Sequence, residues 1–200
     1  MKLLSPKRLK ALALAASLLA LEGCSLLATT TGAPPREQAL YDLKSWRMEG
    51  RIGVKTPDEG WTANLFWEHE GRQDRLRISG PFSQGMLSII VQDDLIHINE
   101  GNGVEQTSRD PDALLRERLG FSVPLRSLRY WVTGVPSPDA EYVPVSGGAS
   151  GSARGFRQQG WSLAYEQFLK VGALTLPQRA TIRGNDVRLK LIADSWVIKE

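Results

Sequence analysis

The chain has 200 residues and a formal net charge of +3. The first 23 residues hold four basic residues and one acid, so the remainder is neutral and lacks the basic block of a nucleic-acid-binding surface. A single cysteine excludes an internal disulfide, and the fold must depend on a packed core. About 160 residues beyond the amino-terminal segments are enough for one domain.

The first 23 residues have the pattern of a secretory signal peptide. Basic residues precede an apolar run over 11–21, which is too short for a transmembrane helix, and Gly23 supplies the small residue before a cleavage site. The next residue is Cys24, the only cysteine. Leu21-Glu22-Gly23-Cys24 resembles a bacterial lipoprotein signal, although Glu22 is unusual at its position. The resemblance implies that Cys24 is lipidated and then acylated at its new amino terminus; a buried or chance cysteine is the alternative.

Lipidation predicts a permanent anchor, because each buried methylene contributes about 0.8 kcal/mol and two or more acyl chains hold firmly. Ser25 follows Cys24 where an aspartate, in enteric-type bacteria, implies retention in the inner membrane. The mature protein is therefore predicted in the outer membrane, with its domain facing the periplasm. Residues 24–35 are small and polar with paired prolines, which indicates a flexible tether, and 36–200 are predicted to form one domain.

The pattern after a short predicted helix (37–44) is that of many short strands. Apolar and polar residues alternate with period two, and Gly, Pro, Asn and Asp mark the turns. The predicted strands are 46–54, 61–67, 75–79, 86–91, 95–99, 104–107, 142–145, 153–158, 161–167, 175–182 and 187–193, with a last segment at 196–198.

Two helices interrupt the strands. Asp110 is a good N-cap, Pro111 fits the first helical position and Gly120 is a good C-terminal stop. The second helix begins at Ser122 or Pro124 and ends by Gly134, and its apolar residues form one stripe. The predicted fold is mainly β: one large, strongly curved antiparallel sheet of about 11 strands, with the short helices as a lid or plug on its concave face.

Catalytic patterns are sparse. The two histidines, His69 and His97, have no metal-ligand spacing, no Gly-x-Ser-x-Gly elbow occurs, and Asp93-Asp94 has the composition of a turn. We therefore predict neither an enzyme nor a metal or other cofactor. One loop is unusual, because Gly80-Pro81-Phe82 places a large aromatic residue between two strands. Phe82 either packs on its own domain or is an exposed apolar probe for lipid or a partner's groove.

Several motifs together resemble the LolB family of outer-membrane lipoprotein receptors. The most specific is Val123-Pro124-Leu125-x-x-Leu128-Arg129-x-Trp131-Val132-x-Gly134. The others are the lipobox, Trp46-x-x-x-Gly50-Arg51, Leu65-Phe66-Trp67-Glu68, Gly80-Pro81-Phe82 and Asp194-x-Trp196-x-Ile198. The resemblance implies an unclosed β-barrel with a helical lid over a hydrophobic cavity, and transfer of acylated lipoproteins from the periplasmic carrier LolA to outer-membrane lipid. It also implies that Phe82, with Pro81 and Gly80, enters the membrane, although the family often has leucine at that place. We expect the protein to be a monomer.

This function predicts an apolar but loosely packed acyl-chain cavity, since tight binding would trap the cargo. Its predicted lining is Met48, Ile52, Leu65, Trp67, Leu76, Ile78, Leu163 and Val187. Leu125, Leu128 and Trp131 of the second helix would fill the empty cavity and be displaced by acyl chains. Plain core packing explains every one of these positions equally well. A lipid-anchored scaffold with a filled interior is the second hypothesis, and a periplasmic hydrolase is a distant third.

Overall fold

The computed structural model describes residues 35–80, 85–146 and 154–199. The predicted signal peptide, Cys24, nearly all of the tether, and Pro81 and Phe82 of the unusual loop lie outside these ranges. Within them the chain forms three helices: α1 (Pro35–Tyr41), α2 (Pro111–Leu119) and α3 (Leu125–Thr133).

The strands form one antiparallel sheet. They are β1 (Ser45–Lys55), β2 (Gly60–Glu70), β3 (Gln73–Ser79), β4 (Met86–Gln92), β5 (Leu95–Asn99), β6 (Glu105–Ser108), β7 (Tyr142–Ser146), β8 (Arg154–Gln158), β9 (Trp161–Val171), β10 (Leu174–Gly184) and β11 (Val187–Ile198). Their spatial order is β6-β5-β4-β3-β2-β1-β11-β10-β9-β8-β7. Because β6 and β7 are the two edges, strand pairing does not close the sheet. The predicted mainly-β, unclosed antiparallel architecture is confirmed.

The period-two pattern gives the sheet one apolar and one polar face. In β1 the side chains of Trp46, Met48, Ile52 and Val54 are buried, and the residues between them face outward. Buried strand residues from β1 to β11 form one core with apolar residues of α2 and α3. The helices therefore lie on the inner face of the sheet, as predicted.

The pairing of β1 with β11 explains a glycine of the sequence pattern. A Cβ atom on Gly50 would lie 2.0 Å from the carbonyl oxygen of Ile192, so only glycine fits this close approach. The register shifts here, because Glu49 pairs with Ser195 and Gly50 with Ala193, which leaves Asp194 as an extra, bulged residue. The segments predicted separately at 187–193 and 196–198 are consequently one strand.

The helix signals are confirmed in α2 and partly in α3. The Asp110 side chain accepts a hydrogen bond from the Ala113 amide, and Gly120 ends α2 in the left-handed conformation. Gly134 ends α3 in the same way, but Pro124 at its start offers no side-chain cap, so Ser122 does not serve as the N-cap. The amino-terminal helix begins and ends earlier than predicted, at Pro35 and Tyr41.

Candidate functional site

The eight predicted lining residues all belong to the interior of the sheet. Seven are buried, and Ile78 is half-buried against the same cluster. They come from β1, β2, β3, β9 and β11, and the open sheet brings these strands round one core together with Leu125, Leu128 and Trp131 of α3. The predicted lining and the predicted lid are therefore in contact with a common interior, which is packed in this conformation.

Helix α3 is attached to β8 and β9 by hydrogen bonds around Trp131. The indole Nε1 of Trp131 donates to Oε1 of Gln158 at 2.7 Å, and the hydroxyl of Tyr165 donates to the Trp131 carbonyl, also at 2.7 Å. Burial raises the pKa of Tyr165 well above its usual value, so this hydroxyl keeps its proton. The ring of Trp161 lies 6.2 Å from that of Trp131. This side of the lid is therefore fixed by buried, directional contacts.

Gln158 is the centre of that attachment. Its side-chain amide also accepts from the Ser137 amide and donates to the carbonyls of Ser137 and Ala140, at 2.6–2.8 Å. A single buried glutamine thus holds both the lid and the segment that follows it.

The opposite side of α3 is attached by ion pairs. Arg126 pairs with Asp94 in the turn between β4 and β5, and both side chains are exposed. Arg129 lies 3.9 Å from the carboxylate of Asp74 on β3, which is buried. Helix α3 therefore spans from β3–β5 to β8–β9 and bridges a sheet that its own strands leave open. The two attachments differ in kind, because one consists of buried neutral hydrogen bonds and the other of ion pairs, of which Arg126–Asp94 is accessible to water.

A cleft of about 300 Å³ lies beside the charged attachment. Its apolar part is formed by Trp67, Leu76, Val91 and Leu125, and Arg126, Arg129 and several aspartates lie at its rim. Its volume is at the lower limit of ligand pockets, which commonly occupy 300–1,000 Å³, but most of its lining is polar, whereas such pockets are mainly apolar. The cleft leads from solvent to predicted lining residues along the edge of the lid.

A second cleft, of about 460 Å³, lies at the other end of α3. Leu40 of α1, Pro136, Phe156, Phe168 and Leu174 supply its apolar lining. Beside it, the Tyr41 hydroxyl donates to the Pro136 carbonyl at 3.0 Å, and burial, with smaller contributions from Tyr142, Glu37 and Tyr130, raises the pKa of Tyr41 to about 12. None of these residues was singled out from the sequence, because their proximity depends on how α1 packs.

A buried polar cluster was also missed by the sequence analysis. Oδ1 of Asp74 accepts from Nε1 of Trp67 at 2.9 Å and lies 3.0 Å from Nδ1 of His69. Because Arg129 of α3 also contacts this carboxylate, Asp74 connects the polar cluster to the lid. The sequence did indicate that Trp67 and His69 lie on the inward face of β2. Their partner Asp74 lies on β3, and only the pairing register of the two strands shows that these side chains meet. His97, in contrast, bonds Thr107 on a polar strand face, as expected.

The predicted membrane loop is described only at its two ends. The Gly80 amide donates to the Gly85 carbonyl at 3.4 Å, and Met86 at the start of β4 is 48% exposed. No helix within the described residues is long and apolar enough to span a membrane.

The architecture is similar in fold to two solved structures. A LolA superfamily protein from Nitrosomonas europaea superimposes with a TM-score of 0.52 at 10% identity, covering 82% of this chain and 90% of that one. A DUF1329 family protein from Desulfovibrio piger superimposes with a TM-score of 0.55 at 7% identity, covering 82% and 89%. These likenesses define the class of fold.

The sequence then gives the family. The model of the family described as "Outer membrane lipoprotein LolB" matches residues 44–196, and the chain belongs to this family. The outer-membrane lipoprotein LolB of Pseudomonas aeruginosa is 29% identical over 161 residues, which are 80% of this chain and 78% of that protein. The Marinomonas protein of the same name is 27% identical over 179 residues, covering 90% and 93%.

Proposed function

We propose that this protein is an outer-membrane-anchored receptor that accepts acylated lipoproteins from the carrier LolA and inserts them into the outer membrane. The observation that carries the proposal is helix α3, which bridges an open sheet and covers an apolar interior in a member of the LolB family. Acyl chains would enter where α3 now packs. The receptor needs neither catalysis nor a cofactor, and we propose that it acts as a monomer.

The physical task is to keep acyl chains out of water during transfer. About 14–16 methylenes per chain, at about 0.8 kcal/mol each, make exposure unfavourable by on the order of 10 kcal/mol. The apolar interior removes most of this penalty if α3 moves away and acyl chains bind in its place. Transfer then proceeds towards tighter binding, from carrier to receptor and from receptor to bilayer.

The asymmetric attachment of α3 supports a lid that opens on one side. Exposed ion pairs contribute at most about 1 kcal/mol, whereas buried hydrogen-bonding groups that lose their partners cost about 1–3 kcal/mol each. Opening should therefore begin at Arg126, beside the cleft at Trp67 and Leu76, while the side at Gln158 stays attached. Met48 in the lining adapts readily to a new neighbour.

Residues outside the described ranges complete the proposal. Cys24 would carry the anchor, residues 1–23 would be removed and 24–35 would form the tether of the domain. Gly80, Pro81 and Phe82 would form the segment that contacts lipid when the cargo is released. A lipid-anchored scaffold is the second candidate, and the packed interior is the observation that favours it.

The test is a two-step transfer with purified components. We expect the wild-type protein to take a lipoprotein from LolA and to release it into vesicles, whereas a scaffold would do neither. Phe82→Glu should leave acceptance intact and block release at least tenfold, because a carboxylate resists entering an apolar phase. Val143→Glu is the matched control, since it places the same charge at an exposed apolar position outside the loop, on the edge strand β7. Normal release by Phe82→Glu would contradict the role of the loop, and failure to accept cargo by the wild type would contradict the receptor.

A further inference from the structure

Four basic side chains form a row across the outer face of the sheet. Arg188 of β11 lies directly opposite Lys55 of β1 on one side and Arg183 of β10 on the other. Ser162 of β9 lies opposite both Arg183 and Arg157 of β8, so that Arg157 continues the row one strand further on. All four basic residues are exposed and alternate with buried neighbours, so they share the face opposite to the core. We call Lys55, Arg188, Arg183 and Arg157 the basic row.

The basic row lacks the ion pairs that basic residues make elsewhere in this sheet. Arg51, Arg75 and Lys199, also outward-facing or at a strand end, contact Asp194 or Glu68. No member of the basic row pairs with a carboxylate among residues 35–80, 85–146 and 154–199. Asp58, Glu59 and Asp186 occupy the neighbouring turns without forming such a pair. Among these described residues, the row therefore presents positive charge that no direct ion pair neutralises, although the three carboxylates reduce the local net charge.

This arrangement opposes stability. Side chains directly opposite each other in antiparallel strands have Cβ atoms about 4.5–5.5 Å apart, and like charges at such positions are destabilising. The chain beyond the signal peptide is neutral overall, so the row is a local feature and not the result of an excess of basic residues. An anionic partner on this face would convert the repulsion into binding.

The direction of the strands indicates what that partner is. β3 ends at Ser79, which pairs with Asn64, and Asn64 pairs with Arg51 of β1. Lys55 lies four residues further along β1 in the same direction, about 13 Å at strand rise. The carboxyl end of β3 and the basic row thus lie at the same end of the sheet. The next step rests on the proposed function: a membrane that receives the loop after β3 would adjoin the end of the sheet that carries the row.

We propose that the basic row binds the phosphate headgroups of an anionic membrane surface and thereby orients the domain on the bilayer. Each Lys or Arg near such a surface strengthens binding about fivefold, and the contribution decays within a Debye length. The row supplies electrostatic attraction that neither the acyl anchor nor an apolar loop provides. Headgroup binding requires no cargo, so its failure is distinguishable from failure of lipoprotein transfer.

The experiment uses the mature chain with Cys24→Ala, exported by a cleavable signal, so that the acyl anchor does not mask weak binding. Residues 34–200 form a compact unit with their own core, and we expect this unit to fold without lipid. Cosedimentation is measured with vesicles of phosphatidylethanolamine containing or lacking phosphatidylglycerol, at low and at high salt. Binding to the anionic vesicles should exceed binding to the neutral ones at least tenfold and should weaken as salt increases.

The variant removes three members of the basic row, with Lys55→Gln, Arg183→Gln and Arg188→Gln. A matched control removes three exposed basic residues at the opposite end of the strands, with Lys44→Gln, Arg72→Gln and Lys170→Gln. The row variant should lose at least tenfold in affinity for the anionic vesicles, and the control less than threefold. The melting temperature of the row variant should not fall, because repulsion has been removed.

Three results would overturn the proposal. The first is equal vesicle binding by the row variant and the wild type, and the second is an equal loss in the control. The third is a row variant that binds vesicles normally but no longer accepts cargo from LolA, since the face would then belong to an acidic protein partner.

Discussion

Gln158 illustrates how one residue determines the position of a functional element. Its side-chain amide meets the indole of Trp131 and three backbone groups, all in buried surroundings. Because the oxygen and the nitrogen of this side-chain amide both have partners, its orientation is fixed, although the buried Ser137 hydroxyl beside it has no partner among the described residues. The lid is consequently placed by polar contacts as well as by its apolar stripe.

Replacing Gln158 by leucine should therefore be strongly destabilising. Trp131 Nε1, the Ser137 amide and two carbonyls would lose their partners, and each such buried group costs about 1–3 kcal/mol. We expect the free energy of unfolding to fall by about 3 kcal/mol or more, measured by urea denaturation. Gln167→Leu, at an exposed position on β9, is the control and should change it by less than about 1 kcal/mol. A small effect of Gln158→Leu would mean that the lid is held by apolar packing alone.

Single residues were also where prediction from sequence was weakest. The inward parity of Trp67 was evident from alternation, but its hydrogen bond to Asp74 depends on how β2 and β3 align. Asp94 was correctly placed in a turn, while its pairing with Arg126 joins residues 32 positions apart. Such contacts are decided by the register and packing of whole elements, which a local pattern does not contain.

At the scale of elements, helix α3 has two unlike faces and two unlike attachments. Its apolar stripe enters the core through Leu125, Leu128 and Trp131, and its arginines reach the carboxylates of β3 and the β4–β5 turn. The sequence predicted the helix and its stripe because both follow from local spacing. It did not predict the charged attachment, which we propose is the side that opens.

A charge swap tests this opening. Arg126→Glu should replace attraction to Asp94 by repulsion and raise the rate of uptake of a fluorescent fatty acid a few-fold, since exposed pairs are worth at most about 1 kcal/mol. Restoring opposite charges with Arg126→Glu and Asp94→Arg together should return the rate to that of the wild type.

The neighbouring ion pair provides a control for this swap. Arg72 and Asp93 interact next to Asp94 but do not involve α3, so Arg72→Glu should leave uptake unchanged. An equal effect of Arg72→Glu, or no rescue by the double substitution, would show that the Arg126–Asp94 contact does not restrain the lid.

For the whole molecule, the open sheet and the helix that bridges it have to be considered together. The chain order, the hairpin turns and the alternating strands were sufficient to predict a curved antiparallel sheet with internal helices, because each depends on local signals, whereas the unclosed barrel was expected from the family resemblance. Whether the interior is empty or filled depends on side-chain packing around α3. The structure has Met48, Leu65 and Leu163 packed in one cluster, so an acyl chain requires the interior to rearrange.

The last prediction distinguishes an interior that rearranges from a permanently filled one. A ligand that binds the folded state at a hundred times its dissociation constant stabilises it by about 2.7 kcal/mol. We therefore expect a long-chain fatty acid to raise the melting temperature of the unlipidated wild-type protein. Leu65→Trp adds bulk to the inner face of β2, where overpacking costs about 1–3 kcal/mol, and should reduce this ligand-induced shift by at least half.

Phe66→Trp is the matched control, because Phe66 is the next residue of β2 and faces outward. Its ring lies 4.2 Å from the guanidinium carbon of Arg77, a cation–π contact that tryptophan preserves. This variant should keep the full shift. The loss in Leu65→Trp would then be due to added bulk on the inner face, and not to a larger side chain on β2 in general. If the wild-type protein shows no shift with any acyl ligand, the interior is a closed core and the scaffold hypothesis is favoured. If Phe66→Trp loses as much of the shift as Leu65→Trp, the acyl chain binds outside the interior, and α3 is not its lid.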